Sequence, residues 1–107
     1  MQNLTPPELA AWIENAVREK LVLLDVREPC EFETCHIDGA LTMPMNTIPG
    51  KLSELDAGQP IVCICHHGVR SMQVALFLEQ HGFTQISNLT GGVHAWAQQV
   101  DSTMSTY

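Results

Sequence analysis

Ile61-Val62-Cys63-Ile64-Cys65-His66-His67-Gly68-Val69-Arg70 passes from a short apolar run into a polar turn with a single glycine. An apolar run of that length reads as a strand buried on both faces. Ser71 to His81 follows with the composition of a packed helix, carrying Met72, Val74, Ala75, Leu76, Phe77 and Leu78. Gly82 stands where such a helix would be capped. Upstream, Leu21-Val22-Leu23-Leu24-Asp25-Val26 gives another buried-strand signal, and Phe83 to Leu89 a later one. Strands alternating with helices predict an α/β fold with a mostly parallel central sheet flanked by helices on both faces.

The remaining segments fit between these. Thr5-Pro6-Pro7-Glu8 is a capping-box pattern with proline at the first helical position, and Leu9, Trp12, Ile13, Ala16 and Val17 recur on one helical face, with Glu14, Arg18 and Glu19 elsewhere. Trp12 and Trp96 are expected as core anchors. Glu28 to Cys35 reads as a short helical turn, Leu41-Thr42-Met43 as a short strand, and Lys51 to Asp56 as a further helix before Gly58-Gln59-Pro60 breaks it. Thr90-Gly91-Gly92 reads as a turn into a closing helix over Val93 to Gln99.

At 107 residues the chain has room for one domain, and 45% hydrophobic residues can build its core. Twelve acidic against five basic residues give a formal net charge of -7, which provides no footprint for nucleic acid and opposes anionic lipid. No run approaches a membrane span, and the N-terminal residues lack the pattern of a secretory signal. The expected location is cytoplasmic, with neither nucleic acid nor membrane as partner. In that reducing setting Cys30, Cys35, Cys63 and Cys65 are expected as catalytic, metal-binding or buried thiols rather than a disulfide framework.

Cys65 lies at a strand end just ahead of a helix, where sites form in parallel sheets. Unpaired N–H groups at the helix start and the helix dipole stabilise a thiolate there. Gly68 allows the backbone to turn tightly, so that successive N–H groups can form a nest. Arg70 adds a cation whose planar fork suits oxyanions. The segment thus holds the parts of a nucleophilic sulfur surrounded by donors.

Cys65-His66-His67-Gly68-Val69-Arg70 resembles the active-site loop of single-domain rhodaneses, sulfurtransferases that handle thiosulfate or persulfides. Asp25-Val26-Arg27-Glu28-Pro29 through His36-Ile37-Asp38-Gly39-Ala40 resembles the family's upstream motif, and Gly91-Gly92-Val93-His94-Ala95-Trp96 its C-terminal one. The resemblance runs from about Leu4 to Gln99. It implies a single rhodanese domain over 1–107, with a core of about 4–99 and a polar tail over 100–107 that is expected to fray. It also implies that Cys65 carries sulfur as a covalent persulfide, with no cofactor and no metal. The donor would be thiosulfate or a persulfide, and the acceptor a thiol or cyanide, small or protein-borne. His66, His67, Gly68, Val69 and Arg70 would form the substrate-binding loop, with Asp25 and Arg27 as structural support nearby.

Cysteine-dependent phosphatases place five residues between nucleophile and arginine, whereas here His66, His67, Gly68 and Val69 alone intervene. The tighter ring suits a terminal sulfur better than a phosphoryl group. Two alternatives from other classes are a non-catalytic rhodanese-like binding or regulatory module, and a metal-binding module using Cys63, Cys65, His66 and His67, with or without Cys35 and His36. Retention of Cys65 argues against the first. The crowding of four donors into five residues argues against the second. His36 and Asp38 are expected to bond backbone in a turn. Where the family has glycine, this chain has Cys35, which would be strained if the position needed a left-handed backbone. Cys35 and Cys63 are expected to be buried and inert.

Overall fold

A computed structural model of the chain describes residues 1–15 and 21–107. The expected strands form, joined by a short edge strand at the N-terminus, and all are parallel: β1 (Gln2–Leu4), β2 (Val22–Asp25), β3 (Leu41–Thr42), β4 (Ile61–Ile64) and β5 (Ile86–Leu89), in the order β1-β5-β4-β2-β3. β2 and β4 pair from Val22 opposite Ile61 to Asp25 opposite Ile64, so both strands end at the same edge. Their side chains alternate between two cores, as the period of a strand requires. Leu24, Val26, Ile61, Cys63 and Cys65 face one core, while Leu23, Val62 and Ile64 face the other.

Helices cover both faces. α3 (Val69–Gln80) packs Val74, Ala75 and Leu78 into the first core, joined there by Met43 and Ile48. α1 (Pro6–Glu14) and α4 (Gly92–Gln99) supply Leu9, Val93 and Trp96 to the second. α2 (Pro29–Thr34) follows β2 and delivers Cys35 and Ile37 to that same core. The expected architecture is observed.

Local chemistry explains most element boundaries. The Thr5 hydroxyl accepts the Glu8 N–H at 3.3 Å and Glu8 Oε1 accepts the Thr5 N–H at 2.9 Å, the reciprocal cap that the sequence predicts. Leu9 is buried, Trp12 is half-buried and Ile13 is 48% exposed, so Trp96 alone of the two tryptophans anchors a core. The expected continuation of that helical face through Ala16, Val17, Arg18 and Glu19 lies outside the described residues.

Three other expectations need correction. Lys51 to Asp56 does not form an α-helix; two 3-10 segments, Met45–Gly50 and Leu52–Glu54, take its place. Pro49 has no N–H to donate and sits inside the first of them. The last strand starts only at Ile86, three residues later than the apolar run suggests. The tail is not frayed: Asp101 N–H bonds Trp96 O, Met104 packs on the second core, and Tyr107 returns to the carboxyl edge of the sheet. Among the described residues no helix is long and apolar enough to cross a membrane.

Candidate active site

β4 delivers Cys65 to the carboxyl edge of the sheet with 1% of its surface exposed. The chain then turns through His66 and His67 to Gly68, whose φ of 102° is a left-handed conformation that suits glycine and caps α3. That turn brings the Gly68 N–H to 3.0 Å from Cys65 Sγ. The first hydrogen bond of the α3 backbone runs from Met72 N–H to Gly68 O. Val69, Arg70 and Ser71 therefore begin the helix with N–H groups that its own ladder does not use. Among the described residues Gly68 supplies the one backbone N–H bonded to the sulfur, where a nest of several was expected.

A second donor was not foreseen. Ser71 Oγ stands 3.2 Å from Cys65 Sγ and makes a short hydrogen bond to Asn88 Oδ1, while Asn88 Nδ2 donates to Gly68 O at 3.2 Å. The hydroxyl has one hydrogen and two acceptors in reach. It can serve Asn88 while the sulfur keeps its proton, and serve the sulfur once that proton has left. Ser71 immediately follows the recognised loop; Asn88 sits on β5, with no local sign of its part.

The loop is closed from outside by α4. Val93 N–H donates to Cys65 O at 2.9 Å and His94 N–H to His66 O at 3.1 Å. This approach requires Gly92: a Cβ there would lie 2.2 Å from Cys65 O and 2.4 Å from His66 O. The third motif thus braces the backbone of the first.

Arg70 does not stand free beside the sulfur. Its guanidinium meets Glu31 of α2 through Nη1–Oε1 at 2.7 Å and Nη2–Oε2 at 2.9 Å. The Arg70 hydrogen bonds hold the Glu31 carboxyl down at about 2, and the same contact raises Arg70. Sequence reasoning missed Glu31, which is separated from Arg70 by two strands and two 3-10 segments. Val69 is exposed at the helix start, and His67 is exposed in the turn.

Asp25 and Arg27 form a fully buried pair, with Arg27 Nε at 2.9 Å from Asp25 Oδ1 and Nη2 at 2.7 Å from Oδ2. Arg27 also donates to Cys35 O at 2.7 Å, to Glu31 O at 3.3 Å and to the Tyr107 hydroxyl at 2.8 Å. Burial disfavours its charge, but the bonds to Asp25 and Tyr107 outweigh that cost and the guanidinium is raised. The pair pins the end of β2 to the end of α2 and to the tail. Tyr107 then donates to Glu31 Oε2 at 2.8 Å and stacks on His66 with ring centroids 4.0 Å apart. Burial pushes the Tyr107 phenol up to about 12.

Cys35 has φ -164° and ψ 148°, an extended backbone open to any residue, so the departure from glycine brings no strain. Cys63 is buried in the packing of β4 on α3, and burial pushes its thiol up to about 12. His36 Nδ1 bonds Phe32 O at 2.8 Å and its ring stacks on Phe32, as expected of a turn residue. The crowded set of Cys63, Cys65, His66 and His67 does not converge as a metal centre. Among the described residues the ligand-type side chains that do converge are His66, His67 and His94.

The model of the rhodanese-like domain family matches residues 5–99. A protein of Mycobacterium tuberculosis described as a probable adenylyltransferase/sulfurtransferase MoeZ is 37% identical over 106 residues, 97% of this chain but 26% of the relative. The chain thus spans about a quarter of that relative's length. A sulfurtransferase of Allochromatium vinosum is 39% identical over 80 residues, 75% of each protein. A crystal structure of a protein from Staphylococcus saprophyticus superposes with a TM-score of 0.84 at 34% identity, covering 94% of this chain and 97% of that one.

Proposed function

The chain belongs to the rhodanese-like domain family, and on that premise we propose that it is a sulfurtransferase working through a persulfide on Cys65. The Cys65 thiolate attacks the sulfane sulfur of thiosulfate or of a persulfide. The donor's S–S bond breaks, and sulfite or a thiolate leaves with the electron pair. Cys65 then holds the transferred sulfur as a terminal persulfide anion. An acceptor thiolate or cyanide attacks that outer sulfur, takes it as a persulfide or thiocyanate, and returns Cys65 to its thiolate. Atoms and charge balance in both halves without a cofactor.

The observation that carries this reading is the pair of donors on one sulfur, Gly68 N–H at 3.0 Å and Ser71 Oγ at 3.2 Å. Donors fixed in a water-poor site stabilise negative charge at little reorganisation cost. His66, His67, Val69 and Arg70 surround the entrance as the substrate-contacting part of the loop, and the Asp25–Arg27 pair holds the neighbouring elements in place.

Intact mass tests the proposal. Incubation with thiosulfate, or with glutathione persulfide, should add the mass of one sulfur atom, and cyanide or a small thiol should remove it. Cys65→Ser should lose the added mass and the turnover while keeping its fold; Cys35→Ser and Cys63→Ser should keep both. Absence of loading from either donor on the wild-type protein would leave a binding module in place of an enzyme.

A further inference from the structure

Three imidazoles from two elements meet at the rim of the Cys65 loop. His66 and His67 come from the turn, and His94 from the first turn of α4. Their ligand nitrogens all lie within 4.8 Å of one another. Ring centroids are 4.0 Å apart for His66 and His67, 4.9 Å for His67 and His94, and 5.9 Å for His66 and His94. The arrangement is fixed by backbone: the His94 N–H to His66 O bond and the close approach of Gly92 set α4 against the turn.

His94 adds a separate observation. Its Nδ1 is buried with no hydrogen-bond partner among the described residues. A buried polar atom left in that state calls for a ligand, because an unsatisfied nitrogen costs free energy on folding. The His66 ring is held at the rim by stacking on Tyr107, with centroids 4.0 Å apart.

We propose that His66, His67 and His94 form a binding site for a divalent transition-metal ion of the zinc class at the rim of the Cys65 loop. Neutral imidazole is a preferred ligand for such ions, and three of them leave a coordination position open. Zinc–nitrogen bonds of about 2.0–2.1 Å set ligand nitrogens about 3.4 Å apart in a tetrahedral site. His67, exposed and attached to a turn, has the freedom to close that gap. The inference goes beyond sulfur transfer and does not depend on it.

The test uses the untagged 107-residue chain, titrated with zinc chloride by calorimetry and with cobalt chloride by visible absorption. One ion should bind per chain. His67→Ala, which removes an exposed side chain and spares the fold, should weaken binding at least tenfold, and His94→Ala should do the same. His36→Ala, outside the cluster, and Cys65→Ser should leave binding unchanged. The proposal is overturned if no saturable binding occurs, or if binding survives His67→Ala at full strength. It is equally overturned if Cys65→Ser abolishes binding, since the thiolate would then be the ligand.

Discussion

Arg70 and Glu31 meet fork to fork, with nitrogen–oxygen distances of 2.7 and 2.9 Å, although 39 positions of sequence separate them. The bidentate geometry ties the first turn of α3 to α2 and compensates the one arginine of the Cys65 loop. Its consequence for an anionic donor can be measured from both sides. Arg70→Ala should lower loading from thiosulfate, and affect loading from a neutral persulfide less. Glu31→Gln frees the guanidinium and should lower KM for thiosulfate about two- to tenfold, with a steeper salt dependence. Equal effects on charged and neutral donors would assign the pair a purely structural part.

The same pair predicts an acid limb in stability. Glu31 is held at about 2 by its hydrogen bonds to Arg70, below its ordinary value of 4.5. A depressed carboxyl contributes stability that is complete above the unfolded value and is lost as pH falls through the folded one. Thermal melting should therefore show a Glu31-dependent decline between about pH 4.5 and 2, absent in Glu31→Gln. Solvent around the pair keeps the effect modest. A Glu31→Gln profile parallel to wild type across that window would contradict it.

Arg27 has the opposite character, since the Asp25–Arg27 pair is removed from water. Arg27→Met leaves a buried carboxylate without its partner and should cost about 3–5 kcal/mol in urea unfolding. Adding Asp25→Asn removes the stranded charge and should recover part of that loss. No recovery in the double variant would point to packing rather than charge as the source.

Gly92→Ala asks whether the third motif truly braces the first. The new Cβ would collide with Cys65 O and His66 O, at a φ of +60° that side chains rarely adopt. Overpacking and backbone strain together should cost about 2 kcal/mol or more, and sulfur loading should fall with the displaced loop. Gly50→Ala meets nothing within 4 Å and serves as the neutral control.

How much of this could be read from sequence follows from the range of each interaction. β2 and β4 are legible because strands buried on both faces read as near-continuous apolar runs, broken here by Asp25 at the end of β2. The cap at Thr5 is legible because both partners lie within four residues. The Cys65–Gly68 turn is legible for the same reason. β1 is not, because Gln2–Leu4 is short and polar and sits at the sheet edge, where only pairing with β5 defines it. Glu31 and Asn88 reach the site through tertiary packing, which leaves no periodic mark. Tyr107 looks like part of a polar tail until its hydroxyl is seen between Arg27 and Glu31.

The shared hydrogen of Ser71 has a consequence for timing. In the proposed sulfur transfer Cys65 Sγ alternates between a thiolate and the uncharged inner sulfur of a persulfide, and each change redirects one O–H between Sγ and Asn88 Oδ1. Asn88 also holds Gly68 O, so news of the charge reaches the turn without any movement of the chain. The Asn88 side-chain amide is thus a built-in reporter. Its nitrogen resonance should shift when the thiol ionises and stay fixed in Ser71→Ala. Under the proposed mechanism a single rotating hydroxyl registers each half-reaction while the walls of the pocket remain still.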